Sequence, residues 1–380
     1  MSKVIVSKFG GSSMKDAEAM LRSAEISKRQ SSTVTLVSAT YGTTDKLHEI
    51  IDSAIAGQWN DCEKTLFAIR ENHFDILNNL SGNNLVGERI RELLNNLETL
   101  ARGIYLMREC SPRAKDRVVS MGERLSSLLF TEALKKTWPE KEITLLDSRE
   151  IIKTDSTFGK GKPQLNTIKE RCEHYIKIDD KLAYVGQGYI GSDDNGFTTT
   201  LGRGGSDYSA ALFAEGMNAD VLEIWTDVAG IATTDPRICD STKSIDEISY
   251  DEASEMAQYG AKILHPTTLV PAMRASIPVF VGSSYASGEK GTWIKETVED
   301  KPLIRAIAKR SSQTLLTIST PKMFNAYGFM AKIFDVFGRH EVSIDCVTTS
   351  EISVAITVEE PTLGNTKFIK ELEAIGDVKI

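Results

Sequence analysis

The residues of this chain that can do chemistry gather in three glycine-marked turns. The first is Lys8-Phe9-Gly10-Gly11-Ser12, which ends a strand-like run from Val4 and precedes an amphipathic stretch from about Ala17 to Gln30. Glycines after a strand free backbone N–H groups to face an anion, and the following helix start adds positive potential. A lysine at the strand end meets a phosphate as a point charge. The pattern GxxxxGK[ST] is absent, so this is not a P-loop. The plain alternative is a tight turn with an exposed lysine. The second turn, Gly202-Arg203-Gly204-Gly205-Ser206-Asp207, opens a small-residue helix from Tyr208 to Gly216. Arginine suits a planar, bidentate grip on carboxylate or phosphate. Ser206 or Asp207 can cap the helix, but capping does not account for three glycines around Arg203. The third is Trp225-Thr226-Asp227-Val228-Ala229-Gly230-Ile231, with Thr233-Thr234-Asp235-Pro236-Arg237 after it. It follows the strong strand Val221–Thr226, and ligands collect at strand C-termini in open α/β sheets. An ordinary Asx-turn is the alternative.

The elements around these turns predict how they are held. The order strand, glycine turn, helix, then strand at Thr33–Ser38 is the βαβ signature of a sheet with helices on its faces. Residues 46–101 read as several packing helices and 116–136 as one more. Further strands are expected at Ile143–Leu146, Ala183–Gln187 and Pro278–Val281, with a helix around Asp251–Tyr259. Gly282 to Pro302, rich in Ser, Gly, Lys and Glu, reads as a linker or surface hairpin. Beyond it the periodicity restarts. Strands at Leu315–Ser319, Val342–Thr349, Ile352–Val358 and Val378–Ile380, with helices at Ala326–Arg339 and Thr362–Ile375, give the ferredoxin-like order βαββαβ.

Composition removes several functional classes. The 380 residues suffice for roughly two to three domains and a core without staples. Hydrophobic residues at 41% and charged residues at 26% fit a globular protein and exclude disorder and collagen. No apolar run approaches the roughly eighteen residues of a membrane span. The N-terminus is too short in apolar residues for a signal peptide, so a cytosolic location and no membrane partner are expected. Net charge is −8 and no dense basic run occurs, which disfavours nucleic acid as a partner. The five cysteines form no CxxC pair and the five histidines show no metal-binding spacing. Reduced structural thiols are expected.

Taken together the motifs are recognisable. The chain closely resembles the aspartokinases of the amino acid kinase family, and within them the lysine-sensitive, single-function type. The matching segments are Lys8-Phe9-Gly10-Gly11-Ser12-Ser13, Ser120-Met121-Gly122-Glu123, Thr199 through Tyr208, Trp225-Thr226-Asp227-Val228, Thr234-Asp235-Pro236-Arg237 and Gly260-Ala261-Lys262-Ile263-Leu264-His265-Pro266. The resemblance implies an amino acid kinase (carbamate kinase-like) three-layer αβα sandwich with a mostly parallel sheet over residues 1–295, carrying the ATP and aspartate sites. A ferredoxin-like ACT region over 303–380 follows, with one complete ACT domain at about 315–380. It implies transfer of the ATP γ-phosphoryl group to the β-carboxylate of L-aspartate, giving 4-phospho-L-aspartate on the route to lysine, threonine, methionine and diaminopimelate.

The physical reading agrees with that implication. The acceptor carboxylate is ionised at neutral pH, since free Asp titrates near ~3.9. No general base is needed, so a catalytic histidine is not expected; positioning and charge neutralisation remain. Lys8 is expected to stabilise the transferring phosphoryl group, with Gly10 and Gly11 supplying backbone donors. Asp207 would orient Lys8 and a water on Mg²⁺, which would come with ATP rather than bind a protein ligand set. By resemblance Thr44, Glu123, Arg203 and Ser206 hold aspartate, Arg203 on the α-carboxylate and Glu123 on the α-ammonium. Ser38, Thr226, Asp227, Arg237 and Lys262 match nucleotide positions.

The resemblance also places Met323, Gly328, Met330, Ser343, Asp345, Thr349, Ser350, Glu351 and Ile352 on lysine-contacting segments. Asp345 and Glu351 would hold ammonium groups, and the backbone at Gly328 and Met330 the carboxylate; solvated turn residues are the alternative. L-lysine is thereby the expected allosteric inhibitor, and a homodimer through ACT sheets the expected assembly. Two departures stand out. Ala232 replaces a tyrosine of the relatives, and only the opening strand of a second ACT domain, about Leu303–Ser311, is expected. These departures motivate an alternative of another class, a lysine-sensing regulatory subunit with little or no turnover. The intact Lys8, Arg203 and Asp207 set weighs against it.

Overall fold

The computed structural model describes residues 3–259, 264, 266–285, 290–300, 302–324, 327–359 and 366–380. The chain divides into two compact units, Met1–Ala308 and Lys309–Ile380. Residues 303–308, assigned to the regulatory region from the sequence, belong with the first.

In the first unit the strands are β1 (Ile5–Phe9), β2 (Val34–Val37), β3 (Glu142–Leu145), β4 (Leu182–Gln187), β5 (Ile190–Ser192), β6 (Thr198–Thr200), β7 (Val221–Thr226), β8 (Ile231–Ala232), β9 (Ser244–Ile245), β10 (Glu247–Ser249), β11 (Val279–Ser283) and β12 (Gly291–Lys295). The helices are α1 (Ala17–Gln30), α2 (Thr43–Ala56), α3 (Trp59–Leu80), α4 (Asn84–Met107), α5 (Pro112–Val119), α6 (Met121–Thr137), α7 (Ser148–Ile151), α8 (Leu165–Tyr175), α9 (Gly205–Gly216), α10 (Tyr250–Gln258) and α11 (Pro266–Arg274). The main sheet runs β10-β12-β11-β7-β1-β2-β4-β3. Only the β11–β12 pairing is antiparallel. Two small sheets, β5-β6 and β8-β9, stand beside it.

The pleat explains the three layers. Phe9, Val37, Val185 and Trp225 point to one core, shared with α1, α2, α3, α4 and α6. Val6, Leu36, Tyr184 and Ile224 point to the other, shared with α8, α9, α10 and α11. Successive side chains of a strand face opposite ways, so a sheet covered on both faces reads as a near-continuous apolar run. The same alternation turns Lys8 toward the α9 layer. Local signals set the boundaries: Asp16 caps α1 by accepting from the Ala19 N–H at 2.9 Å, and Ser31 closes that helix in the left-handed region with φ 56°.

Three expectations change or sharpen here. The helix expected over 116–136 is two helices, α5 and α6, meeting at Ser120. Gly282–Pro302, expected as a linker or surface hairpin, takes the hairpin form: β12 lies in it, pairs antiparallel with the preceding β11 and joins the main sheet. Residues 302–311 carry no strand, so the expected opening strand at Leu303–Ser311 is absent, and Leu303, Ile304 and Ile307 stand exposed. Those residues form an apolar run, but a run without alternation does not by itself settle strand from coil.

The second unit contains β13 (Gln313–Ser319), α12 (Phe329–Arg339), β14 (Cys346–Thr349), β15 (Ser353–Glu359), α13 (Thr366–Glu373) and β16 (Asp377–Lys379). Its sheet is antiparallel in the order β14-β15-β13-β16. With both helices packed over Leu316, Ile318, Val354 and Ile356 of the sheet, this is the ferredoxin-like arrangement.

Candidate active site

A cavity of about 790 Å³ opens at the C-terminal edge of the main sheet. That is the edge where a parallel sheet presents its ligand-binding loops, and the size suits a small molecule. Lys8, the penultimate residue of β1, is 7% exposed. Its Nζ lies 2.5 Å from Oδ1 of Asp207, in the first turn of α9. The contact is a close ion pair rather than an aligned hydrogen bond. Residues almost two hundred positions apart thus meet at one point, because the pleat aims Lys8 at the start of α9.

Arg203 reaches the cavity on a loop that only glycine permits. Gly202 and Gly204 both sit in the left-handed region, with φ of 78° and 71°. The arginine is exposed and makes no ion pair among the described residues, so its guanidinium is available to an anion. Ser206 begins α9 beside it. A Cβ at Gly188 would come 2.8 Å from Ser206 Cβ, so that glycine lets the helix start close against β4.

Glu123, in the first turn of α6, is 3% exposed and lines the cavity. Burial pushes its pKa up to about 8, against the pull of the Ala39 N–H, its own N–H and the Lys8 charge. Its Oε2 has no hydrogen-bond partner among the described residues. A buried carboxyl oxygen without a donor, on a residue that lines the cavity, is a ready acceptor for an incoming cation.

The cavity therefore brings together Lys8, Gly11, Ser38, Thr44, Glu123, Arg203, Ser206 and Asp207 of the residues selected from sequence. Gly10 does not line it. Its N–H donates to the Trp225 carbonyl at 3.1 Å, so it is not the free donor expected. Thr226 and Asp227 stand at the end of β7, next to β1 in the sheet, but outside the lining. Arg237 is exposed and paired with Asp235 at 2.6 Å. Lys262 lies outside the described residues. Ala232 is in β8, paired with Ser244.

Sequence reasoning missed residues that shape the walls. His73, fully buried on α3, donates from Nδ1 to the Ile69 carbonyl at 2.7 Å, which leaves Nε2 to accept from the Thr40 hydroxyl at 3.3 Å. Burial lowers its pKa to about 4, so it is neutral and fixes the Thr40–Gly42 wall. Asp116, Tyr189 and Thr200 also line the cavity. Thr200 lies in the recognised Thr199–Tyr208 segment, but nothing in the local sequence marks the other two: Asp116 sits inside an ordinary helical pattern, and Tyr189 follows a strand.

In the second unit the expected effector residues divide between the two ends of β14, a span of roughly 13 Å at the usual strand rise. Ser343 and Asp345 precede the strand. Thr349 ends it, and Ser350, Glu351 and Ile352 form the exposed turn after it. The Pro321–Met323 turn joins this second end, through the Thr320 N–H on the Ile352 carbonyl at 2.9 Å. Gly328 caps α12 in the left-handed region, and Met330 lies in the first turn of that helix. Asp345 already has a cation, Arg310, at 2.7 Å.

Comparison with known proteins supplies the rest. The model of the "Amino acid kinase family" matches residues 3–283. "Lysine-sensitive aspartokinase 3" of Escherichia coli (strain K12) is 43% identical over 390 residues, covering 100% of this chain and 85% of the relative. The chain belongs to the aspartokinases of the amino acid kinase family. "Aspartokinase 3, chloroplastic" of Arabidopsis thaliana is 31% identical, covering 99% of this chain and 69% of that protein. Among solved structures, E. coli aspartokinase III in complex with aspartate and ADP (R-state) superposes with a TM-score of 0.86 at 41% identity, covering 99% of this chain and 85% of that one. The same E. coli protein with lysine and aspartate (T-state) gives 0.82 at 41% identity, over 100% and 85%. For this aspartokinase family member, the three-layer unit followed by a ferredoxin-like unit is the family's architecture.

Proposed function

We propose that this chain transfers the γ-phosphoryl group of ATP to the β-carboxylate of L-aspartate, giving 4-phospho-L-aspartate and ADP. One observation carries the reading: the Lys8–Asp207 ion pair at 2.5 Å shares a cavity with an unpaired arginine and a buried, half-satisfied glutamate. Arg203 takes the α-carboxylate and Glu123 the α-ammonium. Thr44 and Ser206 complete the aspartate contacts and leave the β-carboxylate toward Lys8. That carboxylate is already an anion, so the site's work is to align it and to neutralise charge as the phosphoryl group crosses. Lys8 supplies the cation and Asp207 fixes its direction. Gly11 offers a backbone N–H. Ser38, Thr226, Asp227, Arg237 and Lys262 serve the nucleotide, with Gly10 positioning the turn. The E. coli relative solved with aspartate and ADP supports both substrates.

Magnesium fits this arrangement as a partner of the triphosphate. Asp207, a carboxylate that lines the cavity beside Lys8, suits a metal-bound water. The ion would screen the negative charge of the phosphates.

Residues 1–295 carry catalysis in this reading and 303–380 regulation, with lysine as inhibitor; the E. coli relative solved with lysine supports that effector. We assign the protein to the cytosol as a homodimer through its ACT units. No described helix is long and apolar enough to cross a membrane. A coupled ADP-release assay with MgATP, aspartate and a lysine titration tests the whole. Turnover of aspartate, suppressed by lysine, is expected. ADP release with glutamate but not aspartate overturns the substrate. The absence of release with any amino acid overturns the activity.

A further inference from the structure

Asp116, on α5, is 1% exposed and has no ion-pair partner among the described residues. A buried carboxyl group is costly unless its oxygens meet donors. Here the donors come from distant parts of the chain. Oδ2 accepts from the Gly159 N–H at 2.8 Å and the Thr200 N–H at 2.9 Å, and Oδ1 accepts from the Thr200 hydroxyl at 2.9 Å. One side chain thus joins its own helix to the turn around Gly159 and to the end of β6.

That junction lies just before Arg203. The Gly161 N–H donates to the Thr200 carbonyl at 2.8 Å, which ties the turn to the strand a second time. A Cβ on Gly202 would stand 3.3 Å from the Gly159 carbonyl oxygen, so the same turn abuts the loop that bears the arginine. Arg203 has no ion pair of its own among the described residues, and glycines in the left-handed region flank it. Its approach to the cavity is therefore set, on this side, by whatever fixes Thr200 and Gly159. The other end of the junction carries Glu123. Ser120 keeps helical angles between α5 and α6, with φ −61° and ψ −18°, and its N–H donates to the Asp116 carbonyl at 3.0 Å. Glu123 follows Asp116 by about two helical turns, which puts both on one face. Asp116, Glu123, Thr200 and Arg203 all line the one cavity.

We propose that Asp116 is a positioning residue that pins the Arg203 loop to the α5–α6 segment bearing Glu123, and so sets the spacing of the two groups that grip the amino-acid substrate. This rests on reading the cavity as the aspartate site. Asp116 and Thr200 act through Arg203; the α-carboxylate and α-ammonium of the substrate leave one carbon, so their two partners must be held at a fixed separation.

The test combines steady-state ADP release by the full chain, with MgATP and aspartate, and hydrogen exchange and thermal melting of the unliganded protein. Asp116→Ala removes both acceptor oxygens. Faster exchange at the Gly159 and Thr200 amides is expected, with KM for aspartate about tenfold higher and KM for ATP and kcat within about twofold. Asp116→Asn can still accept both N–H groups on its carbonyl oxygen and donate to the Thr200 hydroxyl, so it should restore most of the affinity. Thr200→Val loses one donor and should give a smaller rise in the same KM, which keeps the test decisive if Asp116→Ala does not fold. In an Arg203→Ala background Asp116→Ala should add little. Unchanged exchange or unchanged aspartate KM in Asp116→Ala, equal rises for aspartate and ATP, or an Asp116→Asn variant as impaired as Asp116→Ala overturns the proposal. A wild-type enzyme that uses glutamate instead of aspartate, yet loses glutamate affinity in Asp116→Ala, overturns the substrate reading while supporting this junction.

Discussion

At the scale of single residues, the site depends on two buried ionisable groups with opposite tasks. Lys8 is held by Asp207 at 2.5 Å and meets charge that develops only during transfer. Lys8→Ala is therefore expected to lower kcat about 100-fold or more, with a smaller effect on KM for aspartate, in an ADP-release assay. Glu123 holds its proton up to about pH 8 in the folded chain, against an ordinary value of 4.5. Between those values the native state keeps a proton that the unfolded chain has released, so stability falls as pH rises through the window. Below the window both states are protonated, and above it both are ionised, so the contribution is flat. Glu123→Gln removes this dependence, and its melting temperature should gain on the wild type as pH rises across the window. An ammonium pairs with the ionised form, so wild-type kcat/KM for aspartate should climb toward pH 8. Lys8 and Asp207 could be singled out as charges beside glycines at a strand end and a helix start, but their roles, and Glu123 altogether, came from the resemblance to the family, since the sequence placed Glu123 inside a continuous helix. Asp116, Tyr189 and His73 were not legible: their roles exist only across elements, and a lone acid on a helix or a tyrosine after a strand carries no local signal.

At the scale of elements, backbone conformation decides whether Arg203 reaches the cavity. Gly204 at φ 71° gives α9 its start, and a Cβ there is strained whatever the space. Gly204→Ala should cost about 1 kcal/mol of stability and raise KM for aspartate, read by denaturant unfolding and steady-state kinetics. Gly122→Ala tests the opposite wall. Its Cβ would stand 2.7 Å from Ala39 Cβ, so α6 must move and carry Glu123 with it. A loss of about 1–3 kcal/mol is expected, as for overpacking elsewhere. The central strands were readable as apolar runs, since both their faces are covered. Ser120 was not readable as a break, because the apolar spacing continues from α5 into α6. β12 was read only as part of a linker or surface hairpin, because a short strand of Thr, Trp, Ile and Lys in a Gly-rich stretch has loop composition, although it lies between β10 and β11 in the sheet. Leu303–Ser311 misled for the converse reason, being apolar without being paired.

At the scale of the whole molecule, the proposed lysine response belongs to the second unit and the proposed chemistry to the first. Glu351 lies in the exposed turn after β14, while Asp345, beyond the strand's other end, is occupied by Arg310 at 2.7 Å. Glu351→Ala should therefore raise the lysine concentration for half-inhibition severalfold and leave aspartate turnover without lysine near the wild-type rate; an unshifted lysine titration would place the effector elsewhere. The ferredoxin-like order was legible because each of its short elements has a clean period. Tryptophan placement adds an optical consequence. All four indoles, Trp59, Trp138, Trp225 and Trp293, belong to residues 1–308, and 309–380 has none. Trp225, 1% exposed, also lends its carbonyl to the Gly10 turn. Tryptophan emission from this protein, excited beyond the tyrosine band, is thus blind to events confined to the second unit, and a change in it on adding lysine would be a label-free sign that the first unit had responded.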